Sequence, residues 1–349
     1  MTLSELRRPS AGVLAIAGVA LCAIIWGTTW YAITWQLGTV DPVASLTWRF
    51  GLAALVLFVG CAATRRSLAL NRGQHLAALG QGAFVFAVSY TFTYAAEGHV
   101  TSAIVAVVFA ALAFLNLVMF RVFVGQKASR KAWIGAILGV VGVAVLSGGE
   151  ALGAGFDARA LTGIGLAVLA VSSSAVGNYF SWKGQELGSA ILPQTAWAMG
   201  YGTVMLALHG LVTGAEFTID ASPGYLISLV YLAVLGSVVA FVVYFAVARA
   251  RGYALASYIS ALTPPIAMLV SVLFEDARFG WTALVGLLLV LAGQALLIRA
   301  PKVPSRNQPR VLGFASTFAA VFASRSASSS SRRSRMALAC RMAIRAIRP

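Results

Sequence analysis

The stretch TSAIVAVVFAALAFLNLVMFRVFVGQKASRKAWIGAILGVVGVAVL, residues 101–146, holds two long apolar runs on either side of a short basic turn. A helix that rises 1.5 Å per residue needs about 20 apolar residues to cross the roughly 30 Å of hydrocarbon in a bilayer. Both runs are continuous, whereas the strands of a membrane β-barrel alternate apolar and polar residues. The stretch therefore predicts two membrane-spanning helices joined by a short loop.

The rest of the chain repeats this pattern. Of its 349 residues 60% are hydrophobic and only 10% are charged, whereas a soluble domain is roughly a quarter charged. The sequence predicts an all-α polytopic membrane protein. We place its ten spans near residues 12–34, 43–62, 76–96, 101–123, 133–149, 161–181, 193–212, 225–247, 254–274 and 281–299.

The charges between the spans predict the orientation of the chain in the membrane. Connections after even-numbered spans are rich in Lys and Arg, such as Arg65 and Arg130, whereas the opposite connections hold only Arg159 and Arg278. Cytoplasmic loops carry an excess of Lys and Arg. We therefore expect both termini in the cytoplasm.

The two halves of the chain resemble each other. Trp26-Gly27 precedes Pro42 much as Val176-Gly177 precedes Pro193. A unit of five spans that is repeated in tandem enters the membrane in opposite orientations, as in many secondary transporters that bind solute between their repeats. The predicted divisions are a cytoplasmic N-terminus (1–10), two five-helix repeats (11–149 and 150–300) and a basic tail (301–349).

The net charge of +16 by itself would suggest binding to nucleic acid. Residues 301–349, however, contribute ten Lys and Arg without an acid, and their Ser-rich and Arg-rich composition is typical of disorder. Such a tail on a membrane protein usually faces anionic lipid or the cytoplasm. We expect no nucleic-acid partner, although a lipid or nucleic-acid tether in this tail is an alternative function.

Motifs for catalysis or metal binding are missing from the sequence. It has no GxxxxGK[ST], HExxH or CxxC motif, and its three histidines are isolated. Cys22, Cys61 and Cys340 make no disulfide framework. The sequence therefore predicts neither an enzyme nor a cofactor nor a metal site. The short loops also argue against a membrane receptor or scaffold, which is the other alternative.

The first span is the richest in candidate solute contacts. Trp26, Trp30 and Tyr31 recur at helical spacing and could offer rings to a solute. The alternative is an aromatic belt at the membrane surface. Arg49 lies inside the second span and needs a partner, a wet cavity or an outward-reaching conformation. Pairing with Asp41 or reaching outward is favoured over contact with a solute carboxylate.

Polar and aromatic residues in other spans are further candidates for solute binding, with helix packing as the alternative. They are Tyr90, Tyr94, Asn116, Ser174, Asn178, Tyr179, Tyr258 and Ser260, with Tyr231, Ser237 and Tyr244 as weaker ones. Pro264 and Pro265 interrupt the backbone hydrogen bonds of the ninth span, which predicts a hinge. Glycines in the fifth span predict close helix packing or a homodimer.

Acidic residues are absent from the centres of the spans. Obligatory proton coupling often uses a buried carboxylate, whereas Glu97 and Glu275 lie at span boundaries. Facilitated diffusion or weakly coupled efflux therefore fits the residues at least as well as proton coupling.

Three segments together resemble the EamA domains of the drug/metabolite transporter superfamily. They are residues 26–50 (WGTTWYAITWQLGTVDPVASLTWRF), residues 101–146 and residues 261–281 (ALTPPIAMLVSVLFEDARFGW). The first half departs from the family pattern, with Ala113 in place of a proline and Gln126 in place of a glutamate.

The resemblance implies a ten-helix carrier with a central cavity between its halves. Members of the family commonly export amino acids or other small metabolites. We therefore expect a secondary transporter in a bacterial inner membrane that moves a small organic solute by alternating access. A passive channel is a further alternative.

Overall fold

A computed structural model of the chain describes residues 11–153, 157–256 and 258–298. The predictions for the N-terminus, the basic tail and Cys340 concern residues outside this part of the chain. The described residues form helices joined by short connections and contain no strand.

Ten long helical segments follow one another in the described part of the chain. They are α1 (Ala11–Thr34), α2 (Pro42–Ala63), α3 (Arg72–Glu97), α4 (Ser102–Val124), α5 (Arg130–Gly153), α6 (Ala158–Glu186), α7 (Ile191–Thr213), α8 (Pro223–Ala250), α9 (Tyr258–Phe274) and α10 (Trp281–Ile298). A single helical turn, Tyr253–Ala256, precedes α9.

The lengths and composition of these helices fit a membrane protein. Among the described residues, seven helices are long and apolar enough to cross a membrane, and α9 and α10 contain the shorter apolar stretches Leu262–Phe274 and Trp281–Leu296. The remaining helix, α7, has 23 residues. The predicted all-α polytopic fold is confirmed.

Local signals in the sequence set several helix ends. The carboxylate of Asp41 begins α2 by accepting a hydrogen bond from the N–H of Val43 at 2.7 Å. Asn71 and Gln74 form a reciprocal capping box at the start of α3. Gly125 ends α4 with a φ of 69°, a left-handed conformation that glycine adopts without steric cost.

Equivalent helices of the two repeats pack against each other. The pairs are α2 with α7, α4 with α9, and α5 with α10, which forms the most extensive contact. This arrangement is what an internal two-fold relation between two five-helix units produces.

The contact between α5 and α10, called here the glycine seam, depends on small residues. A Cβ atom added to Gly142 would lie 2.6 Å from the carbonyl oxygen of Gly286, and Gly293 meets Gly135 and Gly139 in the same way. Glycine stripes allow helix backbones to approach closely in membranes. The glycines of the fifth span thus pack within the chain, while a homodimer stays a prediction.

Both repeats carry a π-helical segment at the same place. It covers Gly82–Ser89 in α3 and Leu232–Val239 in α8, which are the third helices of their repeats. Such segments are rare and occur frequently at functional sites. No feature of the sequence predicts them.

Side chains from the opposite repeat bind carbonyl groups within these segments. The indole N–H of Trp26 on α1 donates to the carbonyl of Gly236 at 3.0 Å. The hydroxyl of Ser173 on α6 donates to the carbonyl of Phe84 at 2.7 Å. These two bonds cross between the repeats, so the first helix of each repeat is held against the third helix of the other.

The structure interrupts α4, where the sequence predicts no break, and leaves α9 continuous, where the two prolines predict one. The helix α4 is interrupted at Ala110 and Ala111, whose N–H groups bond to carbonyls three residues earlier. The helix α9 instead continues through Pro264 and Pro265. A proline removes only its own backbone donor, and the neighbouring bonds can hold the helix together. A hinge role for the two prolines stays a prediction.

Candidate solute-binding cavity

A cavity lies between the two repeats, with a volume accessible to water-sized molecules of about 60 Å³. Helices α1 to α4 of the first repeat and α6, α8 and α9 of the second contribute to its wall. The lining residues are Trp26, Thr29, Trp30, Ile33, Arg49, Val85, Tyr90, Thr93, Phe109, Leu112, Ser174, Asn178, Phe241, Tyr244 and Thr263.

Aromatic rings form much of this wall. The ring centroid of Trp26 lies 5.1 Å from that of Phe241 and 5.4 Å from that of Tyr244. The ring of Trp30 lies 5.0 Å from that of Phe109. Rings at these distances and tilts pack favourably and hold one another in place. The cavity therefore offers a preformed apolar surface to a solute.

Trp30 also brings an unused hydrogen-bond donor to the cavity. Its side chain is 9% exposed, and its indole N–H has no partner among the described residues. Most buried polar groups in proteins are hydrogen-bonded, and each exception calls for an explanation. A solute acceptor would satisfy this donor.

Arg49 places a positive charge in the same wall. Its side chain is 1% exposed; Nε donates to Ser237 at 3.1 Å, Nη1 donates to the hydroxyl of Tyr94 at 3.3 Å, and the guanidinium carbon lies 4.6 Å from the ring centroid of Tyr90. These contacts fix the orientation of the guanidinium group. The group therefore presents a fixed positive charge in the cavity wall, which suits an anion.

Neither structural explanation favoured for Arg49 from the sequence describes its position. The side chain is buried and does not reach toward the membrane surface. The carboxylate of Asp41 caps the start of α2 instead of pairing with it. Within the described part of the chain Arg49 makes hydrogen bonds to hydroxyl groups only. An anionic solute is therefore a suitable partner for it.

Polar groups on α6 line another part of the cavity wall. The amide nitrogen of Asn178 donates to Asn116 at 3.2 Å and to the hydroxyl of Tyr244 at 3.0 Å. The hydroxyls of Ser174 and Ser89 lie 2.7 Å apart. Asn116 does not line the cavity, and its contact with Asn178 holds that amide in place. A connected polar network of this kind also fixes the spacing of α4, α6 and α8.

The remaining predicted residues lie outside the lining. Tyr94 is buried behind Arg49. The ring of Tyr31 stacks on Phe274 at 5.4 Å. The ring of Tyr179 packs against Phe123 at 5.8 Å, on a different face of α6 from its neighbour Asn178.

The last three predicted residues are Tyr231, Tyr258 and Ser260. The hydroxyl of Tyr231 lies 2.5 Å from that of Thr28, outside the cavity lining. The side chains of Tyr258 and Ser260 are outside the described part of the structure. Their roles stay predictions.

Some lining residues carried no signal in the sequence. Phe109, Phe241 and Thr263 stand in long apolar runs, where nothing in the sequence distinguishes a side chain that faces the cavity from one that faces lipid. The interruption of α4 next to Phe109 becomes visible only in the structure. Among the described residues, no group of three or more His, Cys, Asp or Glu side chains could hold a metal ion.

Several bacterial proteins are similar to this chain in sequence. The uncharacterized inner membrane transporter YedA of Escherichia coli K12 is 29% identical over 70% of this chain and 78% of its own length. Protein PecM of Dickeya dadantii is 24% identical over 78% of this chain and 88% of its own length. Protein PagO of Salmonella typhimurium is 28% identical, but the match spans only 39% of its length.

A solved protein structure and a protein-family pattern also match this chain. A protein crystal structure superposes with a TM-score of 0.64 over 81% of this chain and 96% of its own chain, at 19% sequence identity, which shows a common fold. Residues 13–148 and 161–299 each match the pattern of one transporter family. The two matches coincide with the two helical repeats around the cavity, and the chain is a multi-pass membrane protein of the EamA-like transporter family.

Proposed function

We propose that the chain is a secondary carrier of small organic solutes that bind in the cavity between its repeats. Amino acids and related compounds that combine an apolar body with a carboxylate are the leading substrate class. The observation that carries this proposal is that the unpartnered indole N–H of Trp30 and the positively charged guanidinium group of Arg49 stand in the wall of one cavity.

The chemistry of the cavity supports this class of solute. The rings of Trp26, Phe109 and Phe241 suit an apolar or aromatic body. A guanidinium group binds carboxylates through charge-assisted hydrogen bonds, which are stronger than those between neutral groups. Because Arg49 is already oriented by its contacts with Ser237 and Tyr94, little conformational entropy is lost when a carboxylate binds.

The arrangement of the repeats supports transport by alternating access. Carriers built from inverted repeats open to one side and then to the other by rocking one unit against its partner around a central site. The interruption of α4 at Ala110 and Ala111 lies between the lining residues Phe109 and Leu112. We assign to this interruption the bending that such a movement requires, with Pro264 and Pro265 as the corresponding point in α9.

We further propose that the protein resides in a bacterial inner membrane with both termini in the cytoplasm. The support is the concentration of Lys and Arg in alternate connections. The name of the relative YedA, an inner membrane transporter, agrees with this location.

Uptake into proteoliposomes that contain the full chain tests the proposal. We expect saturable uptake of at least one radiolabelled amino acid. Trp30→Phe keeps a ring but removes the N–H, and should weaken apparent affinity about five- to tenfold, as the loss of one hydrogen bond predicts. Trp281→Phe is the matched control, because Trp281 is 74% exposed.

Arg49→Gln tests the carboxylate contact. It should weaken apparent affinity about 10- to 100-fold for a carboxylate solute and far less for the corresponding amide. The exposed Arg278 supplies the control substitution, Arg278→Gln. Equal losses for acid and amide would contradict the contact. Flux that does not saturate would indicate a channel, and no flux of any solute from correctly inserted protein would contradict the proposed substrate class.

A further inference from the structure

Glu97 lies on the cavity side of α3, beyond the lining residues. It follows Tyr90 by seven residues and Thr93 by four, and residues at these spacings share one face of a helix. Both Tyr90 and Thr93 line the cavity. Glu97 is therefore one turn beyond the cavity wall, at the end of the bundle where α1, α3 and α9 terminate.

The carboxyl group of Glu97 is buried without a hydrogen-bond partner. Its side chain is 8% exposed, and neither carboxyl oxygen has a partner among the described residues. A buried carboxylate that is neither paired nor hydrogen-bonded is very costly, whereas a protonated carboxyl is a neutral group. In this conformation the carboxyl group is therefore stable only with a proton bound.

A second glutamate acts on Glu97 across the bundle. The charge of Glu275, at the end of α9, acts on Glu97, as does the charge of Arg49. Glu275 is itself held by the hydroxyl of Ser102 at 2.7 Å and by that of Ser271. Two carboxylates at this end of the bundle would repel each other.

Other charged or titratable groups surround this position. Tyr90 and Tyr94 precede Glu97 on α3. At the start of α6, Arg159 donates to the carbonyl of Gly98 at 2.9 Å, and Asp157 caps the helix. His99 in the following loop is exposed. The exposed groups are surrounded by water, which weakens their interaction with a buried carboxyl group.

We propose that Glu97 carries an exchangeable proton that links transport to pH, an inference that rests on the proposed carrier function. In the conformation described, Glu97 is protonated and neutral. When this end of the bundle opens and water reaches the carboxyl group, its O–H bond breaks, the proton passes to water and a carboxylate remains. The carrier must take up a proton again before this end closes.

Infrared difference spectroscopy of the purified full chain tests the proton site without any solute. The wild type should show the C=O band of a protonated carboxyl group near neutral pH, and this band should disappear as the pH rises. Glu97→Gln should lack the band, whereas Glu216→Gln, which changes an exposed glutamate, should keep it. Persistence of the band in Glu97→Gln would overturn the assignment.

Solute uptake as a function of pH tests the link to transport. One linked proton changes the rate by up to about tenfold per pH unit. We expect Glu97→Gln, which mimics the neutral acid and should fold, to lose this dependence, and Glu97→Asp to retain it with a shifted midpoint. An unchanged pH profile in Glu97→Gln would overturn the proposed link. If no solute is transported at all, the carrier function fails while the infrared result still decides the proton site.

Discussion

The cavity and the glycine seam between α5 and α10 are built in opposite ways, although both join the two repeats. In the seam, backbones touch where a single Cβ atom would collide, as between Gly142 and Gly286. In the cavity, large rings surround an open space, and the indole N–H of Trp30 is left without a partner among the described residues.

The two parts of the interface contribute to different properties of the protein, the seam to stability and the cavity to binding. Close contact between small residues gives van der Waals stabilisation to helices in a membrane, where burial of apolar surface gives none. A cavity forgoes those contacts and leaves polar groups unsatisfied, which lowers stability. We infer that the seam holds the repeats together while the cavity keeps its binding groups available. Substitutions in the two regions should therefore affect different measurements.

A methyl group in the glycine seam should have the largest effect on stability. The Cβ atom in Gly142→Ala would lie 2.6 Å from the carbonyl oxygen of Gly286 and 2.7 Å from the backbone nitrogen of Val290, so α5 and α10 must move apart. Overpacking of this kind costs about 1–3 kcal/mol. We expect a lower apparent Tm in detergent, measured by scanning fluorimetry.

Gly148→Ala in the same helix is the matched control. A Cβ atom at Gly148 meets no other atom within 4 Å. The substitution should be neutral or should stabilise the helix by up to about 1 kcal/mol, since alanine favours helix more than glycine does. Equal Tm values for Gly142→Ala and Gly148→Ala would show that the seam is not tightly packed.

Two neighbouring residues on α6 separate the cavity from the outer face of that helix. Asn178→Leu removes the hydrogen bonds to Asn116 and Tyr244, and should weaken apparent solute affinity about tenfold because the polar side of the cavity is lost. Tyr179→Phe keeps the ring that packs against Phe123 and should leave uptake unchanged. Saturation curves in proteoliposomes measure both; a larger loss in Tyr179→Phe would contradict the position of the cavity.

The pair Asn178 and Tyr179 also shows how far the sequence leads. Length, hydropathy and repeated order predict the all-α polytopic fold and the two repeats, because crossing a bilayer imposes them. Adjacent residues, however, point about 100° apart on a helix. In a membrane the bundle interior and the lipid are both apolar, so the sequence does not show which of two polar neighbours faces inward.

The π-helical segments are a second reason why the sequence alone does not show which residues line the cavity. Tyr231 and Tyr244 of α8 stand on either side of Leu232–Val239, where the helix turns less per residue than an α-helix does. A count of residues at the α-helical period therefore misplaces one relative to the other. In the structure Tyr244 lines the cavity and Tyr231 does not.

The hydroxyl groups of two lining threonines should matter least. Thr29 donates to the carbonyl of Trp26 and Thr93 to that of Ser89, each at 2.9 Å within its own helix. Thr→Val at either position preserves the shape of the side chain, and should change apparent affinity less than about twofold because the donor is already used. Uptake assays alongside Trp30→Phe provide the comparison. A loss of apparent affinity at Thr29 or Thr93 as large as that at Trp30 would mean that any side chain in the cavity wall affects binding, whether or not its donor is already used. A much smaller loss would mean that the solute is recognised by donors that have no partner within the protein.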